Sequence, residues 1–194
     1  MKIGVLALQG DFAEHIHVLE MLDVETVEVR LPVQLEGLDG LIIPGGESTT
    51  IGKLCVDFGL FEPLQEFGKT HAIWGTCAGA ILLSRDASRS QPLLGLMDIR
   101  VARNAFGRQV DSFEADLVIE PLMKVTKTTS PYHAFFIRAP IITSVDRSAR
   151  VLSTLPDGRI VAAIQGKLLA TSFHPELTAD TRFHQYFLSL VSSN

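Results

Sequence analysis

Ala72-Ile73-Trp74-Gly75-Thr76-Cys77-Ala78-Gly79-Ala80-Ile81-Leu82-Leu83 reads as a short buried strand, a tight Gly-x-Cys-x-Gly turn and a helix in direct succession. A side chain at the apex of such a turn stands clear of the backbone. The following helix aims unpaired N–H groups and the positive end of its dipole at that side chain. Here the side chain is Cys77. Thiolates are favoured at helix N-termini, so the position suits a nucleophile better than a packing residue.

Working outward, the same alternation of buried strand and helix recurs. Lys2 to Leu8 has the unbroken apolar character of a parallel strand. Asp11 can cap a helix to about Leu22, with Phe12, Ile16, Leu19 and Val18 on its apolar side. Val24 to Arg30 and Leu38 to Ile43 read as further strands. The second of these ends in Pro44-Gly45-Gly46-Glu47-Ser48-Thr49-Thr50, and Ser48 or Thr49 opens a helix to about Phe58. Pro63 starts another helix, at a position where proline costs nothing. This order predicts a parallel sheet covered by helices on both faces. Beyond Leu94 come short strand-like pieces: Leu96 to Ala102, Ser112 to Ile119, Phe135 to Ile137, Ile142 to Leu152 and Ile160 to Gln165. Pro156-Asp157-Gly158-Arg159 is a hairpin turn. Lys124 to Pro131 is polar and reads as a mobile loop. Leu168 to Phe173 returns to the core, and Asp180 to Val191 is a closing amphipathic helix. No repeat or linker divides the chain, so one domain over residues 1–194 is expected.

A cysteine nucleophile needs a base. His174-Pro175-Glu176 follows the last core strand, and Pro175 restricts His174 to extended geometry. Residues two apart in an extended segment point the same way, so Glu176 can fix the tautomer of His174 and stabilise its charged form. Cys55, by contrast, sits mid-helix beside Leu54 and Val56 and reads as a small hydrophobe. His15 and His17 read as solvent or interface residues, and His71, His133 and His184 as surface residues.

Composition excludes several functions. The chain is 46% hydrophobic and 20% charged, ordinary for a globular protein. A net charge of −5 with no basic run gives no reason to expect nucleic acid or an anionic membrane. The apolar run at Ile3 to Leu8 is too short to span a bilayer and lacks a leader's cleavage region. Two cysteines make no disulfide framework, and the cytoplasm is the expected compartment. No metal-ligand cluster is visible, and thiolate hydrolysis needs none.

The elbow Gly75-Thr76-Cys77-Ala78-Gly79 together with His174-Pro175-Glu176 resembles the class I, triad-type glutamine amidotransferases. Gly4-Val5-Leu6-Ala7-Leu8-Gln9-Gly10, Pro44 to Thr50 and Arg103-Asn104-Ala105-Phe106-Gly107-Arg108-Gln109-Val110-Asp111-Ser112-Phe113 narrow the resemblance. They are similar to the glutaminase subunits of the ribose-5-phosphate-dependent pyridoxal 5′-phosphate synthases, from Ile3 to about Phe187. The stretch from Pro121 to Pro131 is longer than that pattern.

The resemblance implies a flavodoxin-like three-layer α/β/α sandwich, with a mostly parallel sheet and added antiparallel strands in the C-terminal half. It implies hydrolysis of L-glutamine to glutamate and ammonia, and delivery of the ammonia to a barrel-shaped, oligomeric synthase subunit. Pyridoxal 5′-phosphate is then the product of the complex, and this chain needs no cofactor. By motif, Cys77 is the nucleophile, His174 the acid/base and Glu176 its orienting partner. Gly46, Glu47, Ser48, Arg103, Ile137 and Arg138 hold the substrate, with the N–H groups of Gly46 and Ala78 as oxyanion donors. Either arginine suits the planar α-carboxylate. Docking is expected to control activity, near the first helix and the glycine loop, with Gln9 and Glu14 as interface residues. Rival readings are a free-standing cysteine hydrolase on the same fold, another amidotransferase branch such as that of histidine biosynthesis, and a non-catalytic subunit. Glu47 argues against the glycine loop being a phosphate cradle, because a carboxylate would repel the anion.

Overall fold

Alternate residues of the central strands feed two separate apolar layers. The computed structural model describes residues 1–88, 90–103 and 112–193. Leu41 and Ile43 of β3 (Gly40–Ile43) and Ile73 of β4 (Ala72–Thr76) pack on one face. Ile42, Ala72 and Trp74 of the same strands pack on the other, with Ile3 and Val5 of β1 (Lys2–Leu6). Burial on both faces is why these strands show no polar alternation in sequence.

Helices complete the layers. Helices α2 (Ser48–Asp57), α3 (Phe61–Phe67) and α4 (Ala78–Leu83) cover the first face through Ile51, Cys55 and Leu64. The second face is covered by α1 (Phe12–Met21), α5 (Glu120–Thr126) and α6 (Arg182–Ser192) through Leu19, Leu122, Phe183 and Phe187. The α6 rings seat on aromatic neighbours, with Phe183 4.7 Å from Tyr132 and 5.1 Å from Phe173 between centroids.

The remaining strands are β2 (Glu25–Val29), β5 (Ser84–Asp86), β6 (Met97–Ala102), β7 (Ser112–Leu117), β8 (Tyr132–Ile137), β9 (Ile141–Val145), β10 (Arg150–Thr154), β11 (Ile160–Gln165) and β12 (Leu168–Thr171). The sheet order is β2–β1–β3–β4–β12–β11–β9–β6–β5, with β10 paired to β11. The first five strands are mutually parallel. Beyond them β11, β9 and β6 pair antiparallel, and β5 returns parallel to β6. Strands β7 and β8 form a separate antiparallel ribbon. This is the expected α/β architecture, parallel in its N-terminal part and antiparallel towards the end. Among the described residues no helix is long and apolar enough to cross a membrane.

Several local expectations are corrected. The polar stretch from Lys124 to Pro131 begins inside α5, where Pro121 occupies the first turn at no cost to hydrogen bonding. Lys127, left-handed at φ 52°, ends that helix. The segment Ile142 to Leu152 is two strands, β9 and β10, separated by a turn with Arg147 at φ 52°. Helix α3 starts at Phe61 and takes Pro63 into its first turn. Asp11 precedes α1 without capping it through its side chain.

The parallel order places the C-terminal ends of β1, β3, β4 and β12 along one edge, where open α/β sheets bind their ligands. Close contact between strand and helix there depends on Gly79. A Cβ at that residue would lie 2.1 Å from the carbonyl oxygen of Ile43, a backbone atom that cannot step aside. Gly79→Ala is expected to destabilise the chain by about 2–3 kcal/mol in urea unfolding. Gly37→Ala meets no atom within 4 Å and bears only the strain of φ +72°, roughly 1 kcal/mol. Equal losses in the two variants would contradict the packing argument.

Candidate active site

Cys77 adopts φ 47° and ψ −101°, a strained conformation for a residue with a side chain. Its N–H donates to the carbonyl of Thr171 on the neighbouring β12, at 2.8 Å, which ties the elbow to the sheet. The chain leaves β4 and enters α4 with Cys77 at the junction, so the thiol projects from the strand edge, as at a nucleophile elbow.

His174 reaches the same point from β12. Its N–H donates to the carbonyl of Phe135 on β8, at 2.9 Å, and Pro175 opens the short 3-10 turn Pro175–Leu177. The imidazole Nδ1 lies 2.6 Å from Glu176 Oε1 and 3.5 Å from Asp11 Oδ2. The Cys77 side chain acts on the same imidazole. Burial pulls the imidazole towards its neutral form, but the bonds to Cys77 and Glu176 outweigh it and push its pKa up to about 10. Burial raises the Glu176 carboxyl, opposed by the His174 contact. Cys77, His174 and Glu176 therefore form one interacting group, with His174 hydrogen-bonded to Glu176.

The glycine loop after β3 forms the facing wall. Gly45 lies so close to His174 that a Cβ there would sit 2.6 Å from the imidazole Cε1. Two residues that follow β1 pin the loop: the Asp11 N–H donates to the Gly45 carbonyl at 3.1 Å, and Gln9 Oε1 accepts from the Glu47 N–H at 2.7 Å. Glu47 caps α2, accepting from the N–H groups of Thr49 at 3.3 Å and Thr50 at 2.7 Å. Arg103 donates to Glu47 Oε1 at 2.9 Å and to Thr49 Oγ1 at 3.0 Å, and Gln91 joins the same cluster.

A cavity of about 480 Å³ opens over this edge. Cys77, Ala78, Gly46, Glu47, Ser48, Arg103, Ile137, Arg138 and His174 all line it, and Glu176 lies buried behind His174. The catalytic and substrate-binding candidates singled out from the sequence are thus brought to one place. Arg138 follows β8 at φ 42°, and among the described residues it has no carboxylate partner. The rest of the Arg103 stretch, residues 104–111, lies outside the described residues. Asp11, His174 and Glu176 present ligand atoms within 4.8 Å of one another. The 2.6 Å His174–Glu176 hydrogen bond already occupies two of these atoms, so the cluster does not suit a metal.

Sequence reading missed parts of this site. Asp11 was expected as a helix cap and instead faces His174. Gln9 was expected at an interface; within this chain it also braces the glycine loop. His15 and His184 were expected outside the core, and both are fully buried against the site. Cys55 is buried as expected, and burial pushes its thiol up to about 12.

Burial disfavours the charged form of Glu47, but its bonds to Thr50, Thr49 and Arg103 prevail and lower it to about 2. A lowered carboxylate stabilises the fold above its unfolded value of 4.5 and loses that contribution as pH falls towards about 2. NMR titration should place the Glu47 midpoint near 2, rising in Arg103→Ala yet staying below 4.5 because the α2 cap remains. A midpoint at 4.5 in the unaltered chain would remove the network.

Residues 5–193 match the SNO glutamine amidotransferase family. A relative from Herpetosiphon aurantiacus, the pyridoxal 5′-phosphate synthase subunit PdxT, is 57% identical over 98% of this chain and 100% of its own length. PdxT of Moorella thermoacetica is also 57% identical, over 98% of this chain and 100% of its own. A solved structure described as a glutamine amidotransferase superposes with a TM-score of 0.90 at 48% identity, covering 98% of this chain and 99% of that one. This chain belongs to the SNO glutamine amidotransferase family.

Proposed function

We propose that the chain, as one amidotransferase domain, hydrolyses L-glutamine to L-glutamate and ammonia and supplies the ammonia to a synthase subunit that makes pyridoxal 5′-phosphate. The observation that carries this reading is the Cys77–His174–Glu176 line on the wall of a cavity that also holds the glycine loop and two arginines. Membership of the family and the synthase-subunit relatives support the substrate and the destination of the ammonia. Two free cysteines support the cytoplasm as the compartment.

The chemistry follows from the residue types. The Cys77 thiolate attacks the side-chain amide carbon of glutamine, and its proton resides on His174. Negative charge develops on the amide oxygen, where the N–H groups of Ala78 and Gly46 are the donors. Losing one such donor costs on the order of 100- to 1000-fold in rate. The imidazolium protonates the departing nitrogen, so ammonia leaves rather than an amide anion. Water, deprotonated by His174, then cleaves the γ-glutamyl thioester and frees the thiolate. Glu176 holds the imidazole in one tautomer throughout.

Arg138, with no carboxylate partner among the described residues, takes the α-carboxylate through its planar fork. Arg103 is already engaged by Glu47, and the Glu47 carboxylate faces the α-ammonium. Ser48 and the Ile137 backbone complete the substrate wall.

Glutamate release from L-glutamine, by the chain alone and with its synthase subunit, tests this reading. Strong stimulation by the partner is expected, with Cys77→Ala silent in both states. Glu176→Gln should retain the fold and lose roughly 1000- to 10,000-fold in kcat, as when a triad acid becomes an amide. Substantial glutamate release by Cys77→Ala would overturn the assignment.

A further inference from the structure

We propose that His15 is a positioning residue for Glu176, held in the required tautomer by His184, so that the line behind Cys77 runs four side chains deep. The inference rests on the triad reading above.

His15 on α1 and His184 on α6 are both fully buried. His15 Nδ1 lies 3.0 Å from His184 Nε2. On its other side, His15 Nε2 lies 3.3 Å from Glu176 Oε2 and 3.2 Å from Thr76 Oγ1. Glu176 Oε1 is taken by His174, while Oε2 is buried with no hydrogen-bond partner among the described residues. His15 Nε2 is placed beside this oxygen and beside Thr76 Oγ1, close enough for a small shift to complete a hydrogen bond to Glu176.

One proton arrangement satisfies the cluster. Glu176 in its ionised form only accepts, so the His15 proton belongs on Nε2. His15 Nδ1 is then a bare acceptor, and His184 Nε2 must donate to it. That leaves the proton of His184 on Nε2 and its Nδ1 bare. His184 Nδ1 is buried without a partner. A lone pair can be left unpaired there at less cost than an N–H. Each proton thus points towards Glu176 from the far side, while His174 Nδ1 donates to it from the near side.

Neutrality of the outer pair matters as much as its geometry. Burial and the neighbouring His184 and His174 hold His15 well below the usual histidine range, and burial lowers His184 to about 3. A neutral His15 supports the carboxylate with an N–H dipole and does not compete with the His174 imidazolium for it. The groups facing His15 are His184 from α6, Glu176 and His174 from the turn after β12, and uncharged Thr76 and Trp74 from β4. Asp11, beside His174, adds a second negative charge near Glu176.

The test compares the unaltered full chain with His15→Phe and His15→Gln, the latter because an amide N–H can replace Nε2–H. Cys77 alkylation by iodoacetamide is followed against pH, and glutaminase kinetics are measured in the complex with the synthase subunit. His15→Phe should move the alkylation midpoint up by about one pH unit, a tenfold change in the ion-pair equilibrium. It should also lower kcat by about 10- to 100-fold, as loss of outer-shell partners does elsewhere, with KM for glutamine little changed. His15→Gln should restore most of both. An unshifted midpoint and unchanged kcat in a folded His15→Phe chain would overturn the proposal. Nitrogen-15 NMR of the unaltered chain decides the matter even where a variant does not fold. Protons on Nε2 of both His15 and His184 are expected, and a His15 proton on Nδ1 would contradict the arrangement. Alkylation and NMR need no glutamine, so failure of the glutaminase reading and failure of this one remain distinct.

Discussion

The backbone at Cys77 occupies a left-handed region that costs free energy, and the surrounding architecture holds it there. Strand β4 is central and parallel to both neighbours, so its direction is fixed by hydrogen bonds on each side. Helix α4 is buried along its whole length and meets β3 through Gly79. Between two such immobile elements, one residue has to absorb the change of direction. Its N–H is tied to Thr171, which also brings β12, and therefore His174, alongside. Cys77 and His174 are neighbours because their strands are neighbours in a parallel sheet.

Electrostatics then sort the charges by depth. At the rim, Glu47 stays ionised through the α2 N-terminus and Arg103, in contact with water. At the floor, His174 gains a proton because the Cys77 and Glu176 side chains outweigh its burial. Deeper still, burial holds His15 and His184 in their neutral forms, helped at His15 by the neighbouring His184 and His174. A low-dielectric interior keeps a charge only where a partner faces it, and this site places its single buried cation against the thiol.

Where packing followed local pattern, the sequence could be read directly. The apolar runs of β1, β3, β4 and β12, the Gly-x-Cys-x-Gly turn and His174-Pro175-Glu176 each carry their structure within a few residues. The strand Ile160–Gln165 falls where its apolar pattern placed it. Helix α5 was hidden because Pro121 and a polar surface resemble a loop, while its one buried anchor, Leu122, is fixed by tertiary contact with α6. The break between β9 and β10 depends on which neighbour each strand pairs with, information that lies far away in sequence. His15 and His184 are separated by 169 positions, and nothing local distinguishes a buried histidine from an exposed one. Asp11 had a plausible local role as a cap, and its distant neighbour His174 claimed it instead.

The central claim is that glutamine is cleaved through a covalent bond to Cys77. Rapid acid quench of the complex during turnover of isotopically labelled L-glutamine, followed by peptide mass spectrometry, tests it most directly. The account predicts a labelled γ-glutamyl adduct on the peptide containing Cys77, formed and lost at rates compatible with turnover. Turnover at full rate with no adduct, or an adduct on Cys55 instead, would contradict it.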